Sequence, residues 1–324
     1  MTTPHPSEKC YDNTRFSNIN PQVKPKNFID ILKWKIKARQ PKWPDSMPSH
    51  TDIPPNNNPN GTMRISYVGH VTFLIQTAGL NILTDPVWSD RVSPFSFIGP
   101  KRITKPGIKF DDLPKIDIIL ISHNHYDHLD LNTIKRLWER DQPQIIVPLL
   151  NNSILQSNIT GIKVSTLNWY EKIDVTNDCC INLEPAQHWS ARGLFDQNKA
   201  LWGTFLITTK SGSICFIGDS GYSQSIFRNL GQKYDISLSL IPIGAYEPRW
   251  FMKDIHMNPE DAVLAHQDMK SKYSIASHFD TFQLADEGFN QAVGDLIQAK
   301  AKYKLSDEEF IVPSVGMAYQ FPQK

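Results

Sequence analysis

The segment Ser122-His123-Asn124-His125-Tyr126-Asp127-His128-Leu129-Asp130 decides the fold and the chemistry that we expect of this chain. It follows the mostly apolar run 116–122, which is typical of a buried strand. Side chains alternate along extended backbone, so His123 and His125 point the same way, while Asp127 and His128 can fold back to a second position nearby. Three of the ten histidines fall in one hexapeptide, which disfavours an ordinary polar surface loop. Imidazole and carboxylate together suit a divalent ion such as zinc.

Three further candidate ligands each follow a predicted strand. Functional groups in layered α/β folds gather beyond the carboxyl ends of strands, so this shared placement predicts one common site. Taken singly, a histidine at a strand end or a Gly-Asp-Ser turn usually has no such role. The three residues and the strands before them are His188 after 181–186, Asp219 after 214–218, and His278 after 273–277.

The apolar pattern of the remaining chain predicts an α/β fold in which two β-sheets pack together and are flanked by helices. Short β-type runs follow one another from Met63, and strands then alternate with helices. The other predicted strands cover residues 64–68, 71–77, 80–84, 144–147, 162–167, 204–209 and 236–241. The predicted helices cover residues 131–140, 259–270 and 287–302.

Residues 1–60 are rich in Pro, Asn and Lys, which predicts an N-terminal arm ahead of a folded domain over residues 61–324. The arm is expected to hold one amphipathic helix around residues 28–38 and a linker at residues 53–60. Apolar and basic residues also alternate over residues 32–39, so an extended segment is the alternative. The lysines near Trp34 and Trp43 fit either a solvated face or a surface that meets lipid headgroups.

The formal net charge of +1 provides no global field for nucleic acid, so we expect no nucleic-acid partner. The four cysteines show neither metal-ligand spacing nor a disulfide framework, which fits a reducing compartment. The N-terminus lacks the apolar core of a signal peptide, and no apolar run is long enough to span a membrane. We therefore expect a cytoplasmic protein, with a peripheral membrane location as an option.

These features resemble the metallo-β-lactamase superfamily, and most closely its branch of N-acylphosphatidylethanolamine-hydrolysing phospholipases D. The pattern HxHxDH marks the superfamily, and HNHYDHLD is followed in the same order by the three later ligands. The run IPIGAYEPRWFMK at residues 241–253 marks the branch much more narrowly. The likeness covers about residues 60–320 and, more weakly, the arm from Arg15. It implies a metallo-β-lactamase αβ/βα sandwich of two mixed β-sheets, with residues 61–324 as the hydrolase domain.

The resemblance implies two Zn²⁺ per chain, although other divalent metals occupy such sites. It also implies hydrolysis by a metal-bridging hydroxide, since zinc lowers the pKa of bound water to about 7. The implied substrates are N-acylphosphatidylethanolamine-like phospholipids at a membrane surface, cleaved to phosphatidate and N-acylethanolamine. The implied ligands are His123, His125 and His188 for the first ion, Asp127, His128 and His278 for the second, and Asp219 as the bridge.

The resemblance further implies a catalytic role for His256, and Asp127 is the second catalytic candidate. Tyr126 and Arg249 are candidate substrate-binding residues because of their positions beside the ligands and in the 246–250 loop. From the residues alone, His256 also fits a surface loop, Tyr126 a core position, and Arg249 an ion pair with Glu247. His70 fits a residue that supports a metal ligand or a purely structural one.

Two positions depart from the pattern of the branch. Ile255 stands where the branch has Gln, and Phe279-Asp280 stands where it has Trp-Gly. Acyl-chain and headgroup preference are therefore open, and a lactone, a thioester or a small phosphodiester is the alternative substrate. A non-catalytic metal-binding scaffold is a third function, but it predicts a lost ligand and all seven are present. The resemblance also implies a possible homodimer.

Overall fold

Two seven-stranded β-sheets frame the computed structural model, which describes residues 10–23, 30, 33–34, 36, 40–58 and 61–322. The first sheet contains β1 (Met63–Gly69), β2 (Thr72–Thr77), β3 (Leu80–Thr84), β4 (Ile118–Leu120), β5 (Gln144–Pro148), β6 (Val164–Leu167) and, late in the chain, β14 (Ala318–Phe321). The second sheet contains β7 (Lys172–Thr176), β8 (Cys179–Glu184), β9 (Thr204–Thr209), β10 (Gly212–Phe216), β11 (Leu238–Pro242), β12 (Tyr273–Ser277) and β13 (Phe310–Ile311).

The two sheets share one pattern of strand pairing. Their orders are β14-β1-β2-β3-β4-β5-β6 and β7-β8-β9-β10-β11-β12-β13. In each order the first three pairings are antiparallel and the last three are parallel. Since parallel strands end at the same edge of a sheet, the loops after β10 and β12 lie at one edge of the second sheet, where functional groups are expected, and β4 ends in the same way within the first sheet.

Helices cover the outer face of each sheet. The central strands are buried on both sides, which explains their nearly uninterrupted apolar sequences. In β4, for example, Ile118 and Leu120 face the core between the sheets, whereas Ile119 faces the helices. The helices are α1 (Leu131–Asp141), α2 (Asn152–Asn158), α3 (Gln224–Lys233), α4 (Arg249–Met252), α5 (Pro259–Met269) and α6 (Gln291–Tyr303). The predicted sandwich of two mixed sheets flanked by helices is confirmed.

The sequence located most of the central elements and missed several peripheral ones. The strands Leu80–Thr84, Thr204–Thr209 and Tyr273–Ser277 have the predicted bounds. The last predicted helix begins at Gln291 rather than at residue 287, because Asn290 has a left-handed φ of 60° that a helix cannot contain. The elements that were not predicted are β7, β13, β14, α2, α3 and α4.

The predicted helix around residues 28–38 lies largely outside the described residues, and the division into arm and domain stays a prediction. Described parts of the arm contact the rest of the chain. The indole N–H of Trp34 donates to Asp286 at 2.9 Å, and that of Trp43 donates to the carbonyl of Glu287 at 3.0 Å. Within the described part of the chain, no helix has the length and apolar character needed to cross a membrane.

Candidate active site

All seven predicted ligands converge in one buried cluster. The HNHYDHLD segment continues from β4, and its final residue Asp130 begins α1 by accepting hydrogen bonds from the backbone N–H groups of Asn132 and Thr133. This cap satisfies backbone N–H groups at the helix start and so fixes the point at which the ligand segment ends. His188 follows β8, Asp219 follows β10 and His278 follows β12, as the sequence predicted.

A first group of four side chains lies around His125. Ligand atoms of His123, His125, His188 and Asp219 all lie within 4.8 Å of one another. Nδ1 of His125 is 2.8 Å from Nε2 of His123 and 3.4 Å from Nε2 of His188. Such convergence of imidazole nitrogens fits one cation of the size and chemistry of zinc.

A second group lies beside the first. Ligand atoms of His70, Asp127, His128 and His278 also lie within 4.8 Å of one another. Oδ2 of Asp127 is 3.2 Å from Nε2 of His128 and 3.4 Å from Nε2 of His278. His70 is the member that the implied ligand set lacks, and its Nε2 donates to Asp127 at 2.9 Å.

Asp219 lies between the two groups. Its Oδ2 is 3.2 Å from Nε2 of His128 and 3.3 Å from Nε2 of His278, on the side of the second group. The same oxygen is 3.7 Å from Nε2 of His188, in the first group. This is the position that a ligand shared by two cations requires.

Several buried atoms of the cluster lack a hydrogen-bond partner among the described residues. They include Nε2 of His128, Nε2 of His278 and Oδ1 of Asp219. An unsatisfied buried polar group costs about 1–3 kcal/mol, and more when charged. Cations would satisfy these atoms together, so the donor set fits divalent metal ions.

The electrostatics of the cluster also suit cations. Burial and the neighbouring His188 lower the pKa of His125 to about 3, and burial lowers the pKa of His188 to about 4, which keeps both imidazoles neutral. Burial opposes the charged form of His278, yet Asp219 and Asp127 raise its pKa to about 9. The two carboxylates thus favour positive charge in the space between them.

A hydrogen-bond network orients the ligand imidazoles. Asp85 accepts from Nδ1 of His128 at 2.6 Å and from the hydroxyl of Ser122 at 2.6 Å. The same hydroxyl oxygen lies 3.0 Å from Nδ1 of His123. Because these Nδ1 atoms face the network, the Nε2 lone pairs of both rings point into the cluster. Asp85 was not predicted as a site residue, although it follows β3 as the ligands follow their strands.

The N-terminal segment holds His188 in place. The side-chain amide of Asn18 donates to the carbonyl of His188 at 2.9 Å and accepts from its backbone N–H at 3.0 Å. On the other side, Nδ1 of His188 donates to the carbonyl of Ile255 at 2.8 Å. At Ile255, where the branch has Gln, His188 is therefore supported by the backbone carbonyl rather than by a side chain. Asn18, like Asp85, is a site residue that the sequence did not predict.

A cavity of about 340 Å³ opens above the cluster. His125, Asp127, His188, Asp219 and His278 reach its surface, together with His256 and Tyr126. The remaining wall is mainly apolar, formed by Val23, Trp34, Val92, Trp189, Phe251, Met252, Ile255 and Leu284. A polar floor under an apolar wall suits a ligand with one polar reacting group and a hydrocarbon part.

Of the predicted catalytic and substrate-binding residues, Asp127, His256 and Tyr126 line this cavity, whereas Arg249 is not among its described lining residues. His256 is buried, with Nδ1 3.9 Å from Oδ2 of Asp219, which excludes the surface-loop alternative. Tyr126 lines the cavity, and its hydroxyl donates to the carbonyl of Arg192 at 2.9 Å. Arg249 lies behind His256, where it donates to the carbonyl of His256 at 3.0 Å and pairs with Asp261 at 2.7 Å.

The expected ion pair of Arg249 with Glu247 is therefore wrong, because Asp261 lies closer to the guanidinium. Glu247 instead accepts from the backbone N–H of Arg249 at 3.0 Å. Asp280, the second departure, accepts from the backbone N–H of Asn290 at 3.0 Å and does not line the 340 Å³ cavity among the described residues.

Comparisons with known proteins agree with this arrangement. A family model described as "Beta-lactamase superfamily domain" matches residues 80–279. The chain is 35% identical over 287 residues to N-acyl-phosphatidylethanolamine-hydrolyzing phospholipase D 1 of Caenorhabditis elegans, covering 85% of this chain and 80% of that protein. It is 39% identical over 217 residues to the mitochondrial N-acyl-phosphatidylethanolamine-hydrolyzing phospholipase D of Saccharomyces cerevisiae, covering 65% of this chain and 46% of that protein.

A solved structure shares the fold. Igni18, a metallo hydrolase from the archaeon Ignicoccus hospitalis, superposes with a TM-score of 0.60 at 20% identity, covering 81% of this chain and all of the other. The predicted metallo-β-lactamase fold is confirmed.

Proposed function

The chain belongs to the beta-lactamase superfamily and is a metal-dependent hydrolase, and from this premise we propose that it is a phosphodiesterase of the phospholipase D type. Its substrates would be N-acylphosphatidylethanolamine-like phospholipids, cleaved to phosphatidate and N-acylethanolamine. The observation that carries the proposal is the cavity, in which an apolar wall stands directly over the His/Asp cluster. The likeness to the worm and yeast proteins, over most of the chain in the first case, supports the same substrate class.

We propose two Zn²⁺ as the cofactors. His123, His125 and His188 would hold the first ion, and Asp127, His128 and His278 the second, with Asp219 shared. Imidazole and carboxylate donors in closely spaced groups suit zinc. Bound ions of this kind activate water and stabilise charge on phosphoryl oxygens.

The chain's own residues would bind and orient the lipid. Each methylene of an acyl chain that leaves water against the apolar wall contributes about 0.8 kcal/mol, so the wall can anchor the hydrocarbon. His256 faces the cavity between His188 and His278, at ring distances of 5.0 and 5.6 Å. Burial lowers the pKa of His256 well below its usual range, so its ring is neutral and can donate a hydrogen bond to a substrate oxygen.

The test is hydrolysis of N-acylphosphatidylethanolamine by the purified chain, with metal content measured on the same sample. We expect release of N-acylethanolamine by the wild type, no release by Asp127→Asn, and unchanged release by Asp174→Asn, whose side chain is exposed on β7. Full metal content without lipid turnover would exclude the lipid substrate. Lactones, thioesters and small phosphodiesters would then be assayed in its place.

The proposed surroundings of the enzyme follow from its substrate. Because a phospholipid substrate lies in a membrane, we propose that the protein binds the membrane surface peripherally, without a permanent anchor. A homodimer and a cytoplasmic location remain predictions from the sequence, to be tested by light scattering and by fractionation of cells.

A further inference from the structure

Exposed apolar side chains are concentrated in two loops. Twelve large hydrophobic residues are exposed among the described residues, and five of them lie within residues 93–99 and 192–197. Their exposed fractions range from 58% to 90%. We call these five residues the apolar rim: Phe95, Phe97, Ile98, Leu194 and Phe195. Such a cluster on a water-exposed surface is typical of an interaction site.

The apolar rim borders the mouth of the active-site cavity. Val92 and Trp189, which stand just before the two loops, line the cavity itself. Tyr126 lines the cavity and also a neighbouring groove of about 790 Å³, which runs between Ser93, Ser96 and other residues of the first loop and Arg192 of the second. A surface that bound the rim would therefore face the entrance to the cluster.

Hydrogen bonds hold the two loops in shape with their apolar side chains outward. In the first loop, the hydroxyl of Ser93 donates to the carbonyl of Phe95 at 2.6 Å. In the second, Asp196 accepts from the backbone N–H of Gly193 at 2.8 Å, and Arg15 donates to the carbonyl of Phe195 at 3.3 Å. The guanidinium of Arg192 also donates to the carbonyl of Leu129, which ties this loop to the ligand segment. Preformed loops lose little conformational freedom on binding.

Basic side chains accompany the apolar rim. Residues 90–101 and 192–199, together with Arg15, contain five basic residues and two acidic ones, Asp90 and Asp196. The basic residues are Arg15, Arg91, Lys101, Arg192 and Lys199. Arg192 is turned inward, where its guanidinium donates to the carbonyls of Asn124 and Leu129, so the other four basic residues provide the charge that complements an anionic lipid surface. A combination of apolar and basic side chains is the pattern of interfacial binding.

We propose that the apolar rim docks on a phospholipid bilayer. Its side chains would enter the boundary between headgroups and acyl chains, and a lipid would pass from there into the cavity without its hydrocarbon crossing water. This inference rests on the proposed function for its substrate class.

The experiment compares binding of the full chain to vesicles of phosphatidylcholine, with and without phosphatidylglycerol, by cosedimentation. The variant is Phe97→Ser/Leu194→Ser/Phe195→Ser. The control is Ile53→Ser/Ile297→Ser, which removes apolar side chains of 76% and 55% exposure from outside the two loops. We expect the triple variant to bind vesicles at least about tenfold more weakly and the control to bind as the wild type does. Metal content and melting temperature should not change.

Wild-type-like vesicle binding by the triple variant would overturn the proposal, as would absence of binding by the wild type. If the triple variant changed a dimer into a monomer without losing vesicle affinity, the rim would be an interface between copies of this chain instead. Rim-dependent binding without release of N-acylethanolamine would support the docking surface and exclude the proposed lipid substrate, so the two failures are distinguishable.

Discussion

Nδ1 of His128 lies 2.6 Å from Oδ2 of Asp85, and both side chains are fully buried. The carboxylate also accepts from the backbone N–H of Ser122 at 2.7 Å, so two residues of the segment after β4 fix its position. This contact determines which nitrogen of His128 faces the cluster. Asp85 therefore matters for the second group because it sets the orientation of His128, one of the candidate ligands.

We expect Asp85→Asn to weaken metal binding about 10- to 100-fold. The amide lacks the negative charge, and its N–H group would face the groups of Ser122 and His128 that now donate to the carboxylate. Competition with a chelator, followed by metal analysis, measures the change. Asp174→Asn is the control. Retention of metal at the wild-type chelator concentration would show that Asp85 does not orient His128.

We expect Asn18→Ala to lower the free energy of unfolding by about 1–3 kcal/mol, since it removes two hydrogen bonds to buried backbone. It should also weaken binding at the first metal group, because His188 loses one of its supports. Urea unfolding and metal titration test the two effects. Asn177→Ala, at an exposed turn position between β7 and β8, should change neither, and equal behaviour of the two variants would contradict the assigned role.

Removal of divalent ions should destabilise the chain. Without cations, buried atoms such as Nε2 of His128, Nε2 of His278 and Oδ1 of Asp219 lack a hydrogen-bond partner among the described residues, at a cost of about 1–3 kcal/mol for each unsatisfied group. We expect the melting temperature to fall by at least about 5 °C after chelation and to recover on addition of Zn²⁺. An unchanged melting temperature with full loss of metal would mean that the cluster is satisfied without ions.

Leu284→Trp should shorten the acyl chain that the enzyme accepts, because the indole would occupy part of the cavity above the cluster. We expect kcat/KM to fall at least about tenfold for long-chain substrates and little for short-chain ones, since each excluded methylene loses about 0.8 kcal/mol. Leu150→Trp, exposed and outside the cavity lining, is the control. An equal loss for all chain lengths would argue against an acyl chain at this wall.

The sequence predicted those ligands of the cluster that stand close together in the chain or directly follow a recognisable strand. His123 to His128 stand within one short segment, and the strands before His188, Asp219 and His278 are apolar enough to be recognised. Strands β8, β10 and β12 end at one edge of the second sheet and bring these three residues together, and packing of the two sheets adds the segment that follows β4. The central strands were found for the same reason, since burial on both faces leaves an unmistakable apolar run.

The parts that were missed depend on long-range contacts. Asn18 lies in a polar arm without periodic pattern, and its partner His188 is 170 residues away. Asp85 looks like an ordinary Asp-Pro turn until β3 is placed beside β4. The edge strand β7 alternates between exposed and half-buried residues and contacts only β8 in the described sheet, so its sequence carries little apolar signal.

The backbone N–H of His278 donates to the carbonyl of His70 at 2.8 Å, so the first and last loops of the cluster meet directly. The first metal group needs no residue later than Asp219, but the second needs His278. During synthesis on the ribosome, all four residues of the first group are therefore made well before His278. Each group joins residues that follow strands of the first sheet to at least one residue that follows a strand of the second, so neither group can form before the two sheets pack together. A chain that ended between Asp219 and His278 would contain every residue of the first group and would lack one residue of the second.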